Sequence, residues 1–107
     1  MEAAMRALAE PNRRRILELV ASGERSAGEI AAEFDVTRPA VSQHLSVLRE
    51  AGLVAERRLG TKRLYRTRPE GFLPLRTYLD RFWEDGLERL RLAAELEEGR
   101  RSGSSSG

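Results

Sequence analysis

Apolar positions in this chain follow helical spacing through the first half, give way to short alternating runs, and return to helical spacing over a long final stretch. In residues 2–10, Met5, Leu8 and Ala9 repeat among strong helix formers, which predicts a first helix. Glu10-Pro11 breaks it, and Pro11 suits the first turn of a second helix whose apolar face is Ile16, Leu17, Leu19 and Val20. Ser22-Gly23 ends that helix. Arg13, Arg14 and Arg15 at its start oppose the helix dipole, so they need an acidic neighbour, water or a phosphate. A solvated face is the expectation for them.

Ser26-Ala27-Gly28-Glu29 has the form of a capping box, in which Ser26 caps a short helix and Glu29 reaches back to it. Ile30, Ala31 and Phe34 give this helix its apolar face, and Asp35-Val36-Thr37 makes the turn. Thr37 is a good cap for the next helix, Arg38 to Glu50, where Pro39 is tolerated in the first turn. At about 100° per residue, Val41, Leu45 and Leu48 form one narrow stripe, expected to pack on Ile30, Phe34 and Ile16. The opposite side carries Pro39, Ser42, Gln43 and Ser46, flanked by Arg38, His44 and Arg49.

Ala51-Gly52 stops that helix. Leu53–Arg58 and Lys62–Thr67 then predict two strands about a Leu59-Gly60-Thr61 tip, anchored on the helices through Leu53, Val54, Leu64 and Tyr65. After the loop Pro69-Glu70-Gly71, a long helix is expected from Pro74 to about Glu98, with a broad apolar band. A surface of that breadth favours self-association. Periodicity is lost from Gly99, so residues 99–107 are expected to be a disordered tail, of which 102–107 reads as an appended expression linker. The fold class is therefore mainly α with a small β-hairpin, a winged helix-turn-helix spanning 1–98 with its terminal helix at about 72–98.

Charge sharpens this picture. Residues 36–69 hold eight Lys/Arg against Glu50 and Glu56, whereas the segments on either side each carry a small acidic excess. A local positive field of that kind suits a polyanion. The chain has no cysteine and a single histidine, His44, which leaves no thiolate chemistry and makes a zinc site unexpected. The lack of a secretory or membrane-spanning apolar run leads to the expectation of a cytoplasmic protein with no membrane partner. Without a glycine-rich phosphate loop or a second histidine, neither an enzyme nor a cofactor is expected.

Duplex recognition requires cations near phosphates, side chains that reach base edges, and a fixed angle between the two. Lys62 and Arg63 at the hairpin tip, with Arg58, are candidates for the backbone or minor groove. Arg38, Ser42, Gln43 and Ser46 are candidates for base edges, where Gln43 suits adenine and Arg38 guanine. Thr37 and His44 are placed for phosphates.

The segment Leu8-Ala9-Glu10-Pro11-Asn12-Arg13-Arg14-Arg15-Ile16-Leu17 resembles the LADPTRRxIL opening of the ArsR/SmtB bacterial repressors. The segment from Val41 to Val54 resembles that family's VSxHLxxLxxAGLV recognition stretch. With the basic hairpin, the likeness covers roughly residues 5–97. It implies a homodimeric winged-helix transcriptional regulator, a repressor at its operator, expected to be an inverted repeat. Ser42, Gln43 and His44 would then lie in the recognition helix and Lys62-Arg63 in the wing. Dimerisation would use the terminal helices, through Met5, Leu8, Leu75, Leu79, Phe82, Trp83, Leu87 and Leu90. The metal-sensing pattern of that family is not matched: Ala27 to Ala31 stand where a thiol pair would be, and the last helix has no histidine. No metal or effector is thus implied, and the chain looks more like the thiol-free members. The rival reading is a winged helix that binds protein through its apolar last helix.

Overall fold

The computed structural model describes residues 1–105, with side chains through Arg100. The described chain falls into two compact units, Met1–Leu75 and the part from Arg76 onward.

In the first unit, α1 (Glu2–Ala9) and α2 (Pro11–Ser22) meet at Glu10, whose extended backbone separates them. The Glu10 carboxylate accepts the Arg13 amide at 3.0 Å and so caps α2. Arg13 and Arg14 turn back onto the end of α1, Arg14 remaining exposed. The Arg13 Nε donates to the Ala7 carbonyl at 2.7 Å and its Nη2 to the Arg6 carbonyl at 3.0 Å. Arg14 donates to the Leu8 carbonyl at 2.6 Å. These cations satisfy the orphan carbonyls at the end of α1 and meet its negative dipole end. The third, Arg15, lies 4.5 Å over the Phe34 ring. Arg14 and Arg15 are exposed, as expected of a solvated face, but all three arginines also have protein partners.

A two-residue strand β1 (Arg25–Ser26) precedes α3 (Ala27–Glu33), and Ser26 both pairs in the sheet and caps the helix. The capping box forms in both directions: the Glu29 amide donates to Ser26 Oγ at 3.2 Å and the Ser26 amide to Glu29 Oε1 at 3.3 Å. Helix α4 (Arg38–Glu50) begins at Thr37, whose Oγ1 accepts the Ala40 amide at 3.3 Å. It ends at Ala51, and Gly52 follows with φ +77°, a left-handed conformation that glycine adopts without strain.

Strands β2 (Val54–Leu59) and β3 (Lys62–Thr67) pair antiparallel with Glu56 opposite Tyr65 and Arg58 opposite Arg63. Because β1 adds to the other edge of β3, the sheet has three strands in the order β1-β3-β2, where the sequence predicts a two-stranded hairpin. A two-residue strand is too short to leave a period-2 signal.

The core holds Ile16, Leu17 and Val20 of α2, Ile30 of α3, Val41, Leu45 and Leu48 of α4, then Leu53 and Val54 at the wing's root, with Ala4 and Ala7 of α1. The expected inward stripe of α4 is therefore buried, Phe34 and Tyr65 packing at the margin. Thr67 Oγ1 donates to the Leu17 carbonyl at 2.8 Å and fastens the wing to α2. A 3-10 turn, Pro69–Phe72, follows the wing. In it a β-carbon at Gly71 would lie 2.0 Å from the Gly52 carbonyl oxygen, so only glycine fits that approach.

The last helix, α5, runs from Leu73 to Ser105. It passes Gly99, where lost periodicity predicts a tail; Ser106 and Gly107 of the expected linker lie outside the described residues. In the second unit Tyr78 and Phe82 stack edge to face at 5.0 Å, one turn apart, and Arg91 pairs with Glu88 at 2.5 Å. Leu79, Phe82, Trp83, Leu87 and Leu90 are all exposed. Among the described residues, no helix is long and apolar enough to cross a membrane.

Candidate nucleic-acid interface

Burying Val41, Leu45 and Leu48 leaves the other side of α4 exposed, with Arg38, Ser42, Gln43 and Ser46 on it. Thr37 is exposed at its start. Val47, one turn beyond Gln43, is also exposed, a position that periodicity alone leaves undecided. An apolar side chain beside an amide suits an A·T pair, whose thymine presents a methyl group in the major groove.

The wing completes this surface. Ser26, Ala27, Arg38 and Ser42 on one side, and Thr61, Lys62, Arg63 and Tyr65 on the other, line a polar cleft of about 340 Å³. Arg38 lies along α3, its guanidinium carbon 3.7 Å from where a Gly28 β-carbon would be. Residues directly opposite in an antiparallel pair share a face. Arg58 and Arg63 are such a pair, on the same face as Glu56 and Tyr65. Like charges set opposite each other disfavour the pairing unless an anion lies near them. Glu56 meets that need in part, its Oε1 3.5 Å from Arg63 Nε and its Oε2 on Arg49 Nη1. Burial first, then the charge and hydrogen bonding of Glu56, pushes the Tyr65 phenol above its ordinary value.

Several cations of the basic segment have protein partners. Arg57 points to the other face and donates to Glu24 at 2.6 Å, which raises its own pKa. Arg68 donates to the Gly52 carbonyl at 3.2 Å and to Glu70 at 3.1 Å. Among the described residues, Arg38, Arg58, Lys62 and Arg66 face no carboxylate within ion-pair distance.

His44 is less exposed than its neighbours on the outer face of α4. Its side chain is only 18% exposed and its Nε2 lies 3.9 Å from Glu10 Oε2, at the α1–α2 junction. Of the residues expected at a dimer interface, Leu8 packs against the core, and Met5 and Leu75 are half-buried. No group of three or more His, Cys, Asp or Glu among the described residues is arranged to hold a metal ion.

A helix-turn-helix whose second helix turns a polar face outward beside a basic three-stranded wing defines a winged helix-turn-helix of the DNA-binding class. Residues 10–56 match the family described as "Bacterial regulatory protein, arsR family". The chain is 51% identical over 84 residues to the HTH-type transcriptional regulator Rv2034 of Mycobacterium tuberculosis, covering 78% of each chain. It is 37% identical over 60 residues to the transcriptional repressor SdpR of Bacillus subtilis, covering 56% of this chain and 67% of that one. A solved homodimeric winged helix-turn-helix DNA-binding domain, Mb0332 of Mycobacterium bovis, superposes with TM-score 0.63 at 33% identity, covering 82% of each chain. The protein belongs to the arsR family of bacterial regulatory proteins, and is a winged helix-turn-helix transcriptional regulator.

Proposed function

We propose that this chain acts as a homodimeric repressor that reads an inverted-repeat operator, each subunit laying α4 in the major groove and its wing along the backbone. The observation that carries this reading is the cleft in which Arg38 and Ser42 of α4 converge with Lys62 and Arg63 of the wing. Gln43 and Ser46, with Arg38 and Ser42, read base edges; Thr37, Arg58, Lys62 and Arg63 hold phosphates and fix the register. The exposed apolar face of α5, centred on Phe82, Trp83, Leu87 and Leu90, joins two copies. Two-fold symmetry of the dimer then sets the symmetry of the site, with half-sites about one helical turn or a multiple apart. Repression follows from occupying a promoter, in the cytoplasm.

The test is selection of bound fragments from a random duplex pool, followed by filter binding of the selected duplex over a salt series. A selected inverted repeat and a slope of about 0.9 log units per phosphate neutralised are expected. Recovery of no common sequence, or retention that ignores salt, would contradict the reading.

A further inference from the structure

We infer that Glu56 is a positioning residue for DNA recognition: its single carboxylate ties Arg49 of α4 to Arg63 of β3 and holds recognition helix and wing at one fixed spacing. This inference rests on the DNA-reading role of the α4–wing surface.

The geometry is a two-sided bridge. One carboxylate oxygen takes Arg49 Nη1, and the other lies 3.5 Å from Arg63 Nε. The Glu56 side chain is only 17% exposed, whereas the arginines are about half exposed, at 51% and 56%. Its place is set from below by pairing with Tyr65 across the sheet. Arg63 lines the cleft with Arg38 and Ser42, and Arg49 lies along α4 on the same flank as those two residues.

Charge counting alone gives Glu56 the wrong sign. A carboxylate in the middle of a basic surface repels phosphate, so its removal ought only to strengthen binding. The arginine ends of these pairs are about half exposed, so solvent screening keeps their contribution to stability small. The bridge supplies direction instead. A guanidinium is a planar fork that acts on a phosphate at a defined angle. Phosphate contacts fix the register in which base edges are read. Two arginines held by one anchor therefore favour the duplex that fits them, and the same arginines released will take any phosphate within reach.

The experiment compares the full chain with Glu56→Gln on two probes: a duplex selected by the wild type and a mixed-sequence duplex of equal length, both over a salt series. Glu56→Gln is expected to bind the mixed duplex more tightly and with a steeper salt slope, by up to about 0.9 log units for each arginine released. The selected-to-mixed affinity ratio is expected to fall by about ten-fold, the scale of one well-placed base pairing. A purely structural role would lower both affinities together and leave the ratio standing, which would overturn the inference. Arg49→Gln with Arg63→Gln should lower the ratio by itself, and adding Glu56→Gln to that pair should lower it no further. A ratio retained by the arginine pair, or a further fall in the triple variant, would also overturn it. The arginine pair keeps the test available should Glu56→Gln fail to fold. If the wild type discriminates and Glu56→Gln discriminates equally, only this inference falls; if the wild type prefers neither duplex, the DNA-reading role falls with it.

Discussion

Gln43 stands on the outer face of α4, clear of the buried Val41–Leu45–Leu48 stripe and next to exposed Val47. Gln43→Ala is expected to weaken binding to a selected duplex by about 1–3 kcal/mol while sparing mixed-sequence DNA; equal weakening on both, measured by filter binding, would remove it from base reading. Its outward direction was legible from angle alone, because an amide opposite a three-residue apolar stripe has a definite direction. The direction of His44 was not, because a residue on the flank of a helix is assigned by its neighbour, here Glu10 at the α1–α2 junction. The same holds for Arg13 and Arg14, whose partners are the carbonyls of α1. Glu29 is local chemistry, and was legible. Hydrogen bonding from Ser26, then the charges of Lys62 and Arg25, holds its carboxyl below the ordinary carboxylate value. A depressed folded pKa contributes stability that is present above the unfolded value and lost as pH falls through the lower folded one. Glu29→Gln should therefore flatten the acid limb of melting temperature against pH, and an acid limb that superimposes on the wild type's would contradict the cap.

At the scale of elements, the wing's work is divided by face. Arg57 is turned to Glu24 and Arg68 to Glu70, while Arg58 shares the Arg63 face and Lys62 stands at the tip. Arg58→Ala with Lys62→Ala should flatten the salt slope by about 0.9 log units for each phosphate no longer neutralised; an unchanged slope would take the wing off the backbone. The alternation that places those side chains follows from the pleat and the register, but the pairing of β1 does not. Two residues acquire strand character only because the edge of β3 is there to receive them. Gly71 is similar, read from sequence as a loop glycine and placed by the structure against the Gly52 carbonyl. Gly71→Ala should destabilise the chain by more than the ~1 kcal/mol typical of a point substitution, since backbone must move. A melting temperature equal to the wild type's would show that the approach is looser than this.

At the scale of the whole molecule, the exposed apolar band of α5 is the surface proposed to join two copies. Trp83 is 68% exposed and Leu90 likewise. Trp83→Ala should shift the protein toward monomer in sedimentation velocity, and an unaltered profile would place the interface elsewhere. The order of helices, turn and basic hairpin was readable because each carries its own caps and periodicity. The length of α5 was not, because helix propagation passes a single glycine at a cost of only about 1 kcal/mol, and Gly99 does not stop it. The proposed function turns on α4 reading bases from the major groove in two symmetric half-sites. Replacing single purines of the selected duplex by their 7-deaza analogues removes a major-groove acceptor and leaves the minor groove intact. Binding should fall, by about ten-fold at the most sensitive positions, at purines grouped in two half-sites. Binding indifferent to every such replacement would contradict that role for α4.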